Sequence, residues 1–159
     1  MNFKLHLPWV AILGLLACAT QAQAQERFTP SADGQEVTDK KTGLTWKRCA
    51  EGMVWKVRTC TGTATFFTHT DATARAKAAG AEWRLPVLKE LSSILALRDA
   101  EPGKAPVDAA VFPGTPMVRF WTATPVGPGY FTYVGFTDGS AGESPRNSPG
   151  AVRLVRGGS

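Results

Sequence analysis

Three tryptophans of this chain stand close to basic residues, and this combination can bind a sugar that carries a negative group. An indole face stacks on a sugar ring, while a guanidinium group binds sulfate or carboxylate. The alternative is that tryptophans fill the core of a small domain, which we favour for Trp46 and Trp83. Trp121 instead enters a glycine- and proline-rich region, and loops carry binding sites more often than strands do. The candidate ligand-binding residues are therefore Arg119, Trp121, Tyr130, Asp138 and Arg146.

Residues that could catalyse a reaction are few. His69 is the only histidine after residue 24, and a lone histidine beside a helix start is typical of a surface or capping position. The chain has no Ser-His-Asp set, no H-E-x-x-H helix and no phosphate-binding loop. Four acids could pair for glycoside hydrolysis, but nothing selects two of them, so we predict no catalytic residue. These acids are Glu82, Glu90, Asp138 and Glu143.

The first 24 residues have the pattern of a secretory signal peptide. Lys4 precedes an apolar run over residues 7–17 that is too short to span a bilayer, and Ala22 and Ala24 form an Ala-x-Ala cleavage site. The alternative is lipidation of Cys18, which follows two leucines and an alanine as in a bacterial lipobox. We favour cleavage after Ala24, which leaves residues 25–159 as one exported domain with no transmembrane span.

Two cysteines remain after either kind of processing. An even pair in an exported chain favours a disulfide between Cys49 and Cys60. The alternative is a redox or metal pair, but there is no C-x-x-C motif and no histidine at zinc-site spacing. Asp33 and Asp39 could hold calcium with backbone carbonyls, although turn formation alone explains them. We therefore predict neither a metal nor a cofactor.

The formal net charge of +5 points to an anionic partner. In an exported protein that partner is an anionic polysaccharide or another cell-surface ligand rather than nucleic acid. The basic residues are spread along the chain with no block of five or more, so solubility is the plainer reading of the charge.

The first half of the domain predicts a hairpin and two helices. After a flexible lead-in over residues 25–30, short strands at 37–39 and 44–48 flank a glycine turn, with Leu44 and Trp46 on one face. A disulfide-tied excursion follows over 51–65. An alanine-rich helix runs over 70–80 with Thr70 as its N-cap, and a second helix runs over about 87–98.

The last third is typical of β-structure. Strands are predicted at 119–123, 130–136 and 151–156, with a polar, proline-broken loop over 140–150. One helical turn near residues 108–113 places Val111 and Phe112 in the core. The whole predicts an α+β fold with two helices grouped on one side of a mainly antiparallel sheet with long loops.

The run from Trp83 to Leu91 joins a strand-like end directly to a helix start. Pro86 is tolerated in the first helical turn, where an N–H has no intrahelical partner. Such a junction fixes the angle between two elements. We favour a structural ion pair for Arg84 and a role in the first helical turn for Glu90.

Four segments of the chain together form the pattern of one family. They are Thr38-Asp39 with Thr42 to Trp46 and Arg48-Cys49; Trp83 to Pro86 with Glu90-Leu91; Phe120 to Thr124; and Val152 to Gly158. In this combination they resemble the Lcl C-terminal domain family, named for the end domain of a bacterial collagen-like adhesin. The resemblance covers about residues 28–158. It implies an exported bacterial protein with a C-type-lectin-like fold, and in the adhesin this domain binds sulfated polysaccharide.

The chain departs from that resemblance in two respects. It lacks a collagen stem, so the trimerisation that a stem imposes does not transfer. It also lacks the Glu-Pro-Asn and Trp-Asn-Asp motifs of C-type lectins, so calcium-dependent sugar binding does not transfer either.

We therefore predict an exported, non-catalytic, adhesin-like binding module for anionic or sulfated glycan. One alternative is a periplasmic enzyme related to the formylglycine-generating enzymes, which share the lectin-like fold and would need free thiols. The other is a structural subunit of an envelope assembly.

Overall fold

Nine strands and two α-helices are distributed over the described residues, 27–80 and 82–158, of the computed structural model. The predicted signal peptide and Cys18 lie outside these residues. A short 3₁₀ turn follows the second helix. In chain order the elements are β1 Phe28–Pro30, β2 Glu36–Asp39, β3 Leu44–Lys47, β4 Val54–Lys56, β5 Thr59–Thr61, α1 His69–Ala78, α2 Leu88–Ser93, the 3₁₀ turn Leu97–Asp99, β6 Arg119–Gly127, β7 Tyr130–Gly135, β8 Ala141–Pro145 and β9 Val155–Gly157.

The predicted hairpin is confirmed as β2 and β3, at the centre of a four-stranded sheet of order β1-β2-β3-β9. Leu44 and Trp46 both point into the core, as their alternation with Thr45 and Lys47 predicts. The prediction of a flexible lead-in over residues 25–30 was wrong for residues 28–30. These residues form β1, which pairs with β2, and Phe28 is buried.

A second sheet has the order β6-β7-β8. Strand β8 lies inside the segment predicted as a loop, and it pairs along its whole length with β7. Its sequence, Ala-Gly-Glu-Ser-Pro, has no residue that favours strands, so its pairing depends on β7 and not on local preference. The remaining strands, β4 and β5, form a separate hairpin, so the strands are divided among three sheets rather than joined in one.

The two helices cover opposite faces of the β6-β7 pair, so the prediction that both lie on one side was wrong. Consecutive residues of β6 point to opposite faces. Phe120 belongs to the core cluster that includes Leu91 of α2, whereas Trp121 belongs to the cluster that includes Ala72 and Ala76 of α1. The result is an α+β fold with mainly antiparallel sheets, in which residues 120–122 of β6 are buried on both faces.

Both helices are displaced or shortened relative to prediction. Helix α1 begins at His69, because the hydroxyl of Thr68 accepts a hydrogen bond from the N–H of Asp71 at 3.2 Å and caps the helix. Helix α2 ends at Ser93, well before the predicted residue 98. The chain turns there because Leu95 forms a β-bridge with Val107, which a continued helix would prevent.

The C-terminal segment is buried more deeply than a surface strand. Residues 150–155 are all buried, and only Val155–Gly157 pair as strand β9. Arg153 is 1% exposed, and its guanidinium donates to the carbonyls of Lys47 and Arg48 and to the hydroxyl of Thr115. Burial lowers the pKa of Arg153 to about 9, so the group is still charged at pH 7 and braces the end of β3.

Candidate functional site

The structure separates the sequence-predicted binding residues between the two ends of the β6-β7-β8 sheet. Tyr130 begins β7, and the N–H of Arg146 donates to the carbonyl of Gly129 at 2.8 Å, so these two lie at one end. Arg119 pairs with Gly135 at the other end of β7, next to the turn that holds Asp138. The ends of this strand are about 17 Å apart. The five residues therefore do not form one site.

Trp121 is a core residue and not a surface platform. It is 1% exposed, and its indole N–H donates to the carbonyl of Phe67 at 2.9 Å. Gly150 lies so close that a Cβ at that position would come within 2.7 Å of the indole nitrogen. Neither ring face is open to a sugar. The structure therefore gives Trp121, which the sequence predicts as a ligand-binding residue, a packing position, because α1 and the segment around Gly150 cover the face of β6 that carries it.

A cleft of about 360 Å³ opens instead between α1, the segment before α2, and β6. Its walls are mainly apolar, with charged groups along them. Clefts of this size and character are the usual form of small-ligand sites. Its lining residues are Thr73, Ala76, Lys77, Trp83, Arg84, Leu85, Val87, Glu90 and Ala123.

Helix α1 supplies the first wall through residues on one helical face. Thr73, Ala76 and Lys77 follow the spacing of three and four that aligns side chains along a helix. Ala72 and Ala76 are buried and small, so the helix backbone packs close to the tryptophan cluster beneath it. Lys77 is exposed at the edge of the cleft and forms no ion pair with any described acid.

The second wall is the run from Trp83 to Val87, held at both ends by backbone hydrogen bonds. Arg84 exchanges two with Val155, at 2.9 and 3.0 Å, and the carbonyl of Pro86 accepts from the N–H of Ala123 at 2.7 Å. The segment therefore bridges β9 and β6, and helix α2 starts directly after it. This confirms the strand-to-helix junction predicted from the sequence.

The carboxylate of Glu90 is engaged by its neighbours. It accepts from both terminal nitrogens of Arg84, at 2.7 and 2.8 Å, and from the N–H of Val87 at 2.8 Å. Burial raises the pKa of Glu90, but the hydrogen bonds from Arg84 and Val87 outweigh it and lower the pKa overall. The group stays ionised, which suits a fixed ion pair and not a general acid. The structural roles predicted for Arg84 and Glu90 are confirmed.

Trp83, which lines the cleft, also receives two cations. The ammonium of Lys47 lies 4.4 Å from the centre of its ring, and the guanidinium of Arg156 lies 5.0 Å away. Glu36 joins the two, with distances of 2.7 Å to each. The surroundings of Trp83 thus hold four basic residues, Lys47, Lys77, Arg84 and Arg156, against the acids Glu36 and Glu90 and the exposed Glu82, which precedes Trp83 in the chain.

His69 is a buried packing residue, not the surface or capping residue that was predicted. Its ring stacks on Phe131, with ring centres 3.4 Å apart, and meets Trp121 edge-on. Its Nε2 lies 2.8 Å from the carbonyl of Thr122, which requires a proton on that nitrogen. Burial lowers the pKa of His69 although this hydrogen bond raises it, so the ring is neutral at pH 7.

Cys49 and Cys60 are joined in a disulfide, with Cα atoms 5.4 Å apart. The calcium alternative finds no support, because the carboxylate of Asp39 is taken up by Arg27, at 2.6 and 2.9 Å, and by Thr42. Among the described residues no three acids, histidines or cysteines come together as a metal site. Asp138 accepts a hydrogen bond from the N–H of Ser140 within its own turn, which lowers the pKa of its carboxyl.

Sequence reasoning missed the α1 side of the cleft. The available signal was helical spacing, because Thr73 and Lys77 lie four apart on the side of Ala76. Predicting that these residues of α1 line a cleft requires the correct helix start. It also requires the knowledge that Trp83 packs beneath α1. The second fact depends on long-range packing that no local pattern contains.

The described residues thus form a disulfide-closed α+β domain with an amphipathic cleft beside a cation-flanked tryptophan. The family model of the Lcl C-terminal domain matches residues 35–156, and the chain belongs to this family. A comparison with curated proteins finds no match. No helix in the described residues is long and apolar enough to cross a membrane.

Proposed function

We propose that this chain is an exported, non-catalytic binding module, adhesin-like in its role, that recognises an anionic carbohydrate in the cleft beside Trp83. The observation that carries the proposal is the cleft itself, whose apolar walls adjoin Lys77 and the Arg84–Glu90 pair. Apolar walls suit the faces of a sugar ring, and a fixed guanidinium with a nearby ammonium suits its sulfate or carboxylate.

The balance of charge around Trp83 supports an anionic ligand. The guanidinium groups of Arg84 and Arg156 and the ammonium of Lys47 are each held by an acid, so they are preorganised. Lys77 has no such partner among the described residues, which leaves its ammonium available to the ligand. A negative group bound here would gain from several nearby cations without having to order them first.

Membership of the Lcl C-terminal domain family supports an adhesin-like role and a lectin-like arrangement of the fold. The disulfide fits a protein that works outside the cytoplasm. The neutral, buried His69 and the ion-paired Glu90 offer no acid–base pair in the cleft, which favours binding over catalysis. The disulfide also disfavours the formylglycine-type alternative, which needs free thiols.

The test is binding of the exported protein to a glycan array, followed by titration with the polymers that bind. We expect affinity for sulfated or uronic-acid polymers that weakens as salt rises. Lys77→Gln should reduce affinity about fivefold, which corresponds to roughly 1 kcal/mol. Lys40→Gln, in the turn between β2 and β3, is the matched control and should leave affinity unchanged. Absence of binding to every anionic polymer at low salt would refute the proposal.

A further inference from the structure

The β4-β5 hairpin ends in an exposed apolar tip between two cations. Val57 is 85% exposed and Val54 is 63% exposed, the two highest values among the large hydrophobic residues. Lys56 and Arg58 flank Val57 directly, and both are exposed. From residue 52 to residue 70 the sequence contains no acid at all. The hairpin thus presents apolar surface and positive charge with no negative charge among them.

The residue at the tip is not the one that the turn favours. Val57 has φ = 47° and Arg58 has φ = 74°, so both central positions of this two-residue turn are left-handed. Such turns favour Asn-Gly, and a β-branched residue is disfavoured there. Valine at this position therefore works against both solubility and hairpin formation. That combination is what a surface selected for contact would show.

The body of the hairpin is fixed to the domain while its tip projects. Trp55 and Cys60 are paired across the strands and point inward. The guanidinium of Arg48 lies 4.3 Å from the ring centre of Trp55, and Cys60 is tied to Cys49. Val54 and Lys56 alternate with Trp55, so they point outward. The tip is consequently held in place before any partner arrives.

We propose that this hairpin tip docks on the surface of an anionic lipid bilayer. Val57 enters the interfacial region, while Lys56 and Arg58 bind headgroup phosphates on either side of it. Exposure and charge support this occupant, because Val57 is 85% exposed and an exposed cation stands on each side of it along the turn. A plane of anionic headgroups above an apolar interior matches that arrangement, and binding through so few groups is weak and reversible.

The test is sedimentation of the exported protein with vesicles of phosphatidylcholine, with and without phosphatidylglycerol. We expect binding to the anionic vesicles only, and a decrease as salt rises. Lys56→Gln should lower the partition coefficient about fivefold, because each basic residue near such a surface contributes on the order of 1 kcal/mol. Every variant carries the same N-terminus, so the differences report on the hairpin. Because the vesicles contain no carbohydrate, the result is independent of the cleft.

The double variant Val57→Asn with Arg58→Gly separates docking from folding. It installs the favoured turn sequence, so thermal stability should rise while the partition coefficient falls roughly tenfold. Leu97→Asn and Lys40→Gln remove an exposed apolar residue and an exposed cation elsewhere, and they should leave partition unchanged. No vesicle binding by the wild type, unchanged binding of the double variant, or an equal loss in the controls would each overturn the proposal. The first of these results would point to a protein partner instead.

Discussion

His69 shows how the surroundings of one residue set its chemistry. Its ring is enclosed between Phe131 and Trp121, and its Nε2 proton is committed to the carbonyl of Thr122. Adding a second proton would place a charge among aromatic rings with no described acid bonded to it. Burial therefore lowers the pKa of the ring below its ordinary value of 6.5.

We expect this burial to make the fold sensitive to mild acid. The unfolded chain takes up a proton on His69 near pH 6.5, whereas the folded chain does so only at lower pH. Stability is therefore complete above about pH 6.5 and declines as pH falls from there towards the folded pKa. His69→Phe should flatten this part of the profile, because phenylalanine keeps the stacking and cannot titrate. The measurement is the urea midpoint over a series of pH values.

The carboxylates whose pKa is lowered affect the stability of the fold in a separate, more acidic pH range. Asp39 and Glu90 have ordinary values of 3.8 and 4.5, so the stability that they contribute is present above those values and is lost at lower pH. The His69→Phe variant should keep that second, more acidic decline. If the wild-type midpoint does not change between about pH 6.5 and pH 5, His69 is not protonated differently in the two states.

The burial of two arginines could not be predicted from residue types. Arg48 and Arg153 are both buried, although arginine is seldom fully buried. Each binds backbone carbonyls of segments distant in sequence, Arg48 at residues 34, 110 and 111 and Arg153 at 47 and 48. Their carbonyl partners carry no side-chain signal. The disulfide, the Arg84 ion pair and the buried Val111 and Phe112 were predictable because residue type or local spacing suffices for them.

At the scale of elements, strand β6 is the centre of the arrangement. Its residues alternate between two covered faces, with Phe120 towards α2 and Trp121 towards α1. The sequence predicts a strand here, but the glycines and prolines that follow Trp121 favour a loop environment for that residue. Which faces of a strand are covered depends on the helices that pack there. Local composition could not supply that information, and for this reason the sequence did not predict the burial of Trp121.

A larger side chain on β6 should block the cleft without disturbing the fold. Ala123 is exposed and lines the cleft, so the added atoms of Ala123→Leu extend into open space. We expect the free energy of unfolding to change by no more than about 0.5 kcal/mol, as for most surface substitutions. Affinity for the anionic polymer should fall at least roughly tenfold, because the leucine occupies ligand volume. Calorimetric titration measures the affinity, and urea unfolding measures the stability.

The matched control is Ala141→Leu, which makes the same change at an exposed alanine of β8. It should alter neither affinity nor stability. Equal affinities for the wild type and for Ala123→Leu would mean that the polymer binds elsewhere. The ends of the β6-β7-β8 sheet, with Tyr130 and Arg146 at one and Arg119 and Asp138 at the other, would then be the next surfaces to test.

At the scale of the whole molecule, the β4-β5 hairpin and the cleft are held to the rest of the domain by different bonds. The Cys49–Cys60 bond closes a short loop, with a separation of 11 residues, and fastens the β4-β5 hairpin. The cleft is fastened differently, through the bridge of Arg84 to Val155 and the hydrogen bond from Ala123 to Pro86. The hairpin and the cleft therefore depend on different bonds.

Removing the disulfide should affect these two regions unequally. For the double variant Cys49→Ala with Cys60→Ala we expect a loss of about 2.5–3 kcal/mol in the free energy of unfolding, from the entropy of the opened loop. Below its unfolding transition the variant should keep its affinity for the anionic polymer, since neither cysteine and no residue of the β4-β5 hairpin lines the cleft. Its partition onto anionic vesicles should fall, because the hairpin tip is no longer held in place. Equal losses in both assays would instead indicate that hairpin and cleft form one cooperative unit.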